Sequence, residues 1–483
     1  MRILHVCSEL YPLLKTGGLA DVTGALPNAL TKFGCDVRVL VPGFPAFMNG
    51  IKDRKLVSKI PNKFGTCAIK LYYGTLPNSL GIYIIDAKDL YDRPGNPYQD
   101  DKGVAYPDNY LRFALLGYVA AKLAKNEDSH WQPQVIHGHD WHAGLAFAYL
   151  KAHEIRTGSK LAGSVFTIHN LAYQGVFPEP IFIELDLPKE FFDINGLEFY
   201  GQVSFLKAGL FFADKLTTVS PTYALEIQRE GQGCGFNGLL SNRKFDLHGI
   251  LNGVDKSVWN PATDTIISNH YNIRSMAGKL LCKTALQKKL GLNVQNDTPL
   301  FVVVSRLTEQ KGLNLILSEL SKIIELGGQL VLLGSGDAKL EKEFKTVARK
   351  YPKLISVKIG YDEEYAHQII AASDVILVPS LFEPCGLTQL YGMIYGTLPL
   401  VHKVGGLADT VVDCALENLA DNSATGFVFE HFVFEAFNAA IKRAFALYNR
   451  KGEWKRVQKH GMQQDFSWDK ASRQYLLLYK QVT

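Results

Sequence analysis

Glu383 lies in the stretch Pro379-Ser380-Leu381-Phe382-Glu383-Pro384-Cys385-Gly386-Leu387-Thr388. The short apolar run ending at Val378 reads as a buried parallel strand, and Thr388 to Tyr395 reads as a helix. The carboxylate is therefore expected in a strand-to-helix turn, at the edge where open α/β sheets bind ligands. The helix start offers unpaired backbone N–H groups and a partial positive charge that suit a phosphate. Gly386 lets the backbone come close to it. A carboxylate beside an anion-binding turn fits a site that also handles a polar, uncharged group such as a sugar. The plain alternative is an ordinary surface glutamate beside a capped helix.

Two further loops carry cations. Ser305-Arg306-Leu307-Thr308-Glu309-Gln310-Lys311-Gly312 follows the apolar run Leu300 to Val304 and places Arg306 and Lys311 on one loop, an arrangement suited to a diphosphate or simply to a solvated basic loop. Lys15-Thr16-Gly17-Gly18-Leu19-Ala20-Asp21 follows the strand-like Arg2 to Cys7 and leads into a helix read from Val22 to Phe33, stopped by Gly34. This is strand, glycine loop, helix, strand, but with neither GxGxxG nor GxxxxGK[ST]. Lys15 is a point charge for an anion or a solvated lysine at a tight turn.

Three polar clusters remain. Val135 to His142 is a strand running into His137, His139, Asp140, Trp141 and His142. A metal reading is disfavoured, because HxH on a strand is a weak ligand pattern. Asp140 and Trp141 suit sugar hydroxyls and ring stacking better. Val165 to Asn170 repeats the layout and puts His169 and Asn170 at a strand end. Tyr98 stands in a proline- and glycine-rich loop where it can stack on a sugar or pack the loop down.

The elements that must hold these residues alternate strand and helix, first to about residue 249 and again from about 300. That pattern predicts an α/β chain of two doubly wound, Rossmann-like domains. The expected boundaries are 1–249, 250–460 and a closing helical segment, 461–483. Gly405-Gly406-Leu407-Ala408-Asp409 echoes Gly17-Gly18-Leu19-Ala20-Asp21, as two similar halves presenting glycine loops would.

The chain has 483 residues, 47% hydrophobic and 20% charged, with a formal net charge of +5, which describes an ordinary globular protein with its positive charge placed locally. No lysine/arginine block marks a nucleic-acid partner. No apolar run is long enough for a membrane span. The seven cysteines are scattered and contain no CxxC, which argues for a reducing compartment and against structural zinc or a disulfide framework. With strand-like residues from Arg2 onward and no leader segment, a cytoplasmic bacterial protein is expected.

Taken together, Lys15 to Val22, Ser305 to Gly312 and Glu383-Pro384-Cys385-Gly386-Leu387-Thr388-Gln389 resemble the hallmark motifs of the bacterial glycogen synthase family (glycosyltransferase family 5), which includes plant starch synthases. The resemblance runs over essentially the whole chain. It implies the GT-B fold, with two Rossmann-like domains facing a central cleft. It also implies retaining transfer of glucose from ADP-glucose to the non-reducing end of an α-1,4-glucan such as glycogen. ADP-glucose enters as a donor substrate, with no cofactor and no metal, and no DxD motif is present. A homo-oligomer is compatible with the sequence.

By matching motifs, the implied catalytic residues are Glu383, Lys311, Arg306, His169 and Asp140. The implied ADP-glucose contacts are Lys15, Gly17, Gly18, Asp21, Asn252, Arg306, Lys311, Tyr361, Glu383, Cys385, Gly386, Leu387 and Thr388. Tyr361 corresponds to a residue at the adenine. Tyr98, Trp141 and Asn170 are assigned to the acceptor glucan. Leu381 and His402-Lys403-Val404 depart from the more arginine-rich family pattern. Related readings are a GT-B transferase using UDP-glucose or a short maltooligosaccharide, and a non-catalytic glucan-binding protein on the same scaffold. Retention is compatible with a carboxylate nucleophile or with front-face attack assisted by the leaving phosphate.

Overall fold

The apolar runs pair into two large sheets, seen in a computed structural model that describes all 483 residues. The strands of the first half are β1 (Arg2–Val6), β2 (Asp36–Pro42), β3 (Lys55–Ile60), β4 (Ile69–Thr75), β5 (Gly81–Asp86), β6 (Val135–His139), β7 (Gly163–Ile168), the short β8 (Val176–Pro178), β9 (Glu198–Phe199) and β10 (Gln202–Ser204), then β11 (Lys215–Thr218) and β12 (Leu247–Gly249). Nine of them form one sheet in the order β12-β11-β7-β6-β1-β2-β5-β4-β3, and β8, β10 and β9 form a small antiparallel one. Pairing in the large sheet is parallel except at the β5-β4-β3 edge. The strands of the second half are β13 (Leu300–Val304), β14 (Gln329–Gly334), β15 (Ile355–Ile359), β16 (Val375–Val378), β17 (Leu398–His402) and β18 (Phe427–Phe429), all parallel in the order β15-β14-β13-β16-β17-β18.

The second sheet shows why its strands read as unbroken apolar runs. Phe301, Val303, Leu330, Leu332, Val375 and Leu377 belong to one buried cluster. Their neighbours Leu300, Val302, Val331, Leu333, Ile376 and Val378 belong to another. Successive side chains point to opposite faces, and both faces are covered.

The chain divides into two units, Met1–Gly253 with Trp468–Thr483, and Val254–Ser467. The terminal helix Trp468–Val482 packs on the helix α1 (Gly18–Thr31) and on β7. It comes so close that a Cβ on Gly163 would lie 2.4 Å from the Val482 carbonyl oxygen.

Helix α1 begins earlier than its apolar spacing predicts. Gly17 is its N-cap and Gly18 its first residue, because Leu19 and Ala20 are already buried. The glycine pair is thus the first turn of a helix and not a loop ahead of one. The echoing segment does the same: helix Gly405–Thr410 starts on its own glycine pair. No helix is long and apolar enough to cross a membrane.

Candidate functional site

In the second unit the chain lays down β13, β14 and β15 in one direction, then returns to the other side of β13 with β16. The loops after β13 and β16 therefore leave the sheet side by side at its switch point, where such sheets bind ligands. One carries Arg306 and Lys311, and the other carries Glu383. The two loops are tightly packed: Gly312 has φ +66°, and a Cβ there would sit 2.0 Å from the Pro379 carbonyl oxygen. Leu381 N–H donates to the Gln310 carbonyl at 2.8 Å.

The Lys311 ammonium donates to Glu383 Oε2 at 2.5 Å, and the Ser380 hydroxyl donates to the same oxygen at 2.8 Å. The Glu383 side chain is 9% exposed and that of Lys311 18%, so this is a largely desolvated pair at the rim of the sheet. The backbone below it is clamped. His402 Nδ1 donates to the Ser380 carbonyl at 2.8 Å, and Gly406 N–H donates to the Glu383 carbonyl at 3.1 Å. Gly405, at φ +42°, lies so close that a Cβ would sit 2.0 Å from that carbonyl oxygen. The second glycine pair therefore seats the glutamate.

Arg306 is exposed on the same loop as Lys311. Cys385 is buried, and Gly386 and Leu387 lead into the helix Thr388–Ile394, whose first turn no side chain caps. Tyr361, just beyond β15, is 67% exposed, and its hydroxyl donates to Glu363.

The first unit has the same logic. Its sheet reverses at β1, with β2 on one side and β6 on the other, so the loops after β1 and β6 adjoin. The loop after β1 is organised by Glu9, which lies outside every motif. Glu9 is buried, and its Oε2 accepts from Thr16 N–H at 2.6 Å and Gly17 N–H at 3.2 Å. Its Oε1 accepts from the Thr16 hydroxyl at 2.6 Å and the Tyr98 hydroxyl at 2.5 Å. Four donors on one carboxylate hold the turn that presents Lys15, Gly17 and Gly18. Lys15 itself pairs with Asp21 at 2.9 Å, one turn along α1. The only advance signal for Glu9 was an acid close behind a buried strand.

After β6, Asp140 opens the helix Asp140–Thr157 with φ +54°, a conformation that non-glycine residues rarely adopt. Its buried Oδ1 accepts from His169 N–H at 2.7 Å and, more weakly, Asn170 N–H at 3.4 Å. Asp140 thereby ties the end of β6 to the turn after β7. Burial pushes its carboxyl up to about 7, against those two backbone bonds.

The residues assigned to sugar stacking are packed more deeply than exposed platforms would be. Tyr98 stacks on His142 with ring centroids 4.8 Å apart. Trp141 sits among Phe113, His142, Phe177 and Phe205. Asn170 is half-buried beside His169. Asn252 falls in the first unit, where its buried Oδ1 has no hydrogen-bond partner.

The ring nitrogens of His5, His137 and His139 lie within 4.8 Å of one another, which is metal-like spacing. Five of these six nitrogens are already engaged, and His5 Nε2 alone has no partner. His137 bonds the Tyr479 and Thr167 hydroxyls at 2.8 and 2.6 Å, and His139 bonds His5 and His169 at 2.9 and 3.0 Å. Burial pushes His5, His142 and His169 down to about 3, and His137 and His139 well below the usual range, so these rings are neutral at pH 7.

Within the second unit, Arg306, Lys311 and the start of the helix Thr388–Ile394 can hold a doubly charged leaving group while the Glu383 carboxylate stands next to Lys311. The sequence and the fold also resemble those of known proteins. The starch synthase catalytic domain family matches residues 2–242, and the glycosyl transferases group 1 family matches residues 286–460. The chain is 61% identical to a glycogen synthase of Francisella tularensis subsp. novicida, covering 100% of this chain and 99% of that one. It is 62% identical to a glycogen synthase of Francisella philomiragia subsp. philomiragia, covering 100% of both. Among solved structures, the catalytic domain of starch synthase IV from Arabidopsis thaliana, bound to ADP and acarbose, matches with a TM-score of 0.91 at 31% identity, covering 100% of this chain and 99% of that one. Sucrose-phosphate synthase from Thermosynechococcus elongatus, at TM-score 0.59 and 18% identity over 99% and 98% of the two chains, shares the fold alone. The two-domain α/β architecture is thus the GT-B fold of a glycosyltransferase, and the chain belongs to the glycogen synthase and starch synthase family.

Proposed function

We propose that the protein transfers glucose from ADP-glucose to the non-reducing end of an α-1,4-glucan, with retention of configuration and release of ADP. The observation that carries this reading is the Lys311–Glu383 pair at the switch point of the second sheet, with Arg306 on the same loop as Lys311. Lys311 has three N–H donors, so its bond to Glu383 leaves two for a diphosphate oxygen. Arg306 supplies a second cation with a planar fork. The charge that develops as the glucosyl–phosphate bond breaks is thereby met without reorganisation.

In this reading the acceptor hydroxyl attacks the anomeric carbon from the face the diphosphate leaves, and the departing phosphate takes its proton. Glu383, held by Lys311 and Ser380, stabilises and orients the glucosyl group. Tyr361, largely exposed just beyond β15, takes the adenine. In the first unit, Lys15 with the Gly17–Gly18 turn contacts the donor, and His169 with Asp140 stands on the sugar side. No metal or cofactor enters these steps. The cytoplasm is the compartment that goes with this reading.

The test is glucose incorporation into glycogen by purified protein, with radiolabelled ADP-glucose and UDP-glucose compared in the presence of a chelator. Strong incorporation from ADP-glucose, well above UDP-glucose, is the expected result. Preference for UDP-glucose would overturn the donor assignment. Glycogen binding with no incorporation from either donor would overturn the enzymatic reading.

A further inference from the structure

Three histidines of the first unit form an unbroken line of ring-to-ring contacts. His5 on β1, His139 at the end of β6 and His169 just beyond β7 come from adjacent strands, aligned by the parallel register that pairs His5 with His137 and His139 with Thr167. His5 Nδ1 lies 2.9 Å from His139 Nε2, and His139 Nδ1 lies 3.0 Å from His169 Nε2. His5 and His139 are fully buried, and His169 is the half-buried end of the line. At the blind end, His5 Nε2 is buried with no partner.

A neutral imidazole has one N–H and one bare nitrogen. Every contact in the line needs one of each, so all protons must point the same way and only two arrangements exist. In the first, His5 donates to His139, and His139 donates to His169. His5 Nε2 is then a bare lone pair, and the proton of His169 is on Nδ1. In the second, every bond reverses. His5 Nε2 then carries a buried N–H with nothing to accept it, and His169 Nδ1 is bare. Orphaned buried N–H groups are rarer than under-used acceptors, so the unpartnered nitrogen selects the first arrangement.

We propose that His5 and His139 set the tautomer of His169 and hold its proton on Nδ1, so that the ring offers an N–H to an oxygen of the bound sugar. His5 and His139 are positioning residues that act through His169. The tautomer stands on the geometry alone, and only the identity of the accepting oxygen rests on the proposed function. The line also accounts for the histidine at position 139, where any apolar residue would fill the core but none would orient the next ring.

The test is long-range 1H–15N correlation on histidine-labelled full-length protein, with His169 assigned by the peaks lost in His169→Gln. The expected result is His169 protonated on Nδ1 and bare on Nε2. The opposite pattern in the unsubstituted protein overturns the proposal, whatever the variants do. Two substitutions add a functional reading. His139→Asn keeps an N–H where Nδ1 stood, so it should retain the tautomer and keep kcat within about 3-fold. His139→Phe removes the donor; His169 should shift toward Nε2–H, and kcat with ADP-glucose should fall about 10-fold, the worth of one hydrogen bond. The Kd for ADP, which lacks the sugar, should not move. An unchanged tautomer in folded His139→Phe, or an ADP Kd that weakens in step with kcat, overturns the relay. The expected tautomer in a protein that transfers no glucose would sink the sugar reading and leave the relay standing.

Discussion

Replacing Glu9 by glutamine should weaken donor use without unfolding the protein. The structure shows how the amide would sit. Its oxygen can face the Thr16 and Gly17 N–H groups where Oε2 stood. Its NH2 can face the Thr16 and Tyr98 hydroxyls, which can turn to accept. All four contacts survive, but the charge is lost. A hydrogen bond to a charged acceptor contributes about 1 kcal/mol more than a neutral one, so the two backbone bonds together weaken by about 2 kcal/mol. If that loss falls wholly on the turn carrying Lys15 and Gly17, KM for ADP-glucose rises by up to about 30-fold with kcat little changed. Glu9→Ala strands two N–H groups and should do worse. The assay is initial-rate kinetics over ADP-glucose at saturating glycogen, beside a thermal melt of the same samples. Tyr98→Phe should be less than additive with Glu9→Gln, since the two share a bond. A lowered Tm with unchanged KM would refute the reasoning and make Glu9 a purely structural carboxylate.

Asp140→Asn tests the buried carboxyl. Its native pKa, about 7, is raised from 3.8, so the folded state holds the proton more tightly, and stability is highest below the unfolded value and lost as pH rises through 7. Unfolding free energy should therefore fall by about 3 kcal/mol between pH 5 and 8, a slope that urea titrations should find flattened in Asp140→Asn. Gly405→Ala would place a Cβ against the Glu383 carbonyl, and the resulting shift should lower kcat by about 100-fold in a protein that still melts cooperatively. Lys279 is buried and donates to the Ala371 and Tyr395 carbonyls at 3.0 and 2.9 Å and to the Thr397 hydroxyl at 2.7 Å. Lys279→Met should cost about 2–3 kcal/mol in chemical denaturation, with KM and kcat at 25 °C unchanged, because it joins helix ends and touches no site residue.

The two sheets were legible because strands buried on both faces read as continuous apolar runs, as Leu300 to Val304 and Val375 to Val378 do. Turn residues at their ends then located the loops, and the structure brings Lys311 and Glu383 into contact across 72 positions of chain. What sequence could not show is direction. Glu9, Ser380 and His402 are single polar residues whose importance lies in where a buried side chain points. Apolar spacing starts helix α1 four residues late, because Gly17 and Gly18 look like a loop until the burial of Leu19 and Ala20 is known. The helix Lys451–Gln463 went unread because it is strongly polar and carries Gly452 and Gly461. Trp141 suggested a platform by its type, but its ring is held by four aromatic neighbours that lie up to 64 positions away. The histidine line could be seen only once three strands were in register.

The most direct test of the account is single-turnover glucosyl transfer from ADP-glucose to glycogen by Glu383→Ala, with the Kd for ADP-glucose measured on the same preparation. If Glu383 stabilises the reacting sugar, the rate falls by at least about 100-fold while the donor Kd stays within a few-fold, because the cations that hold the diphosphate remain. A transfer rate near that of the unsubstituted protein would contradict the central claim and move the reaction centre away from the Lys311–Glu383 pair.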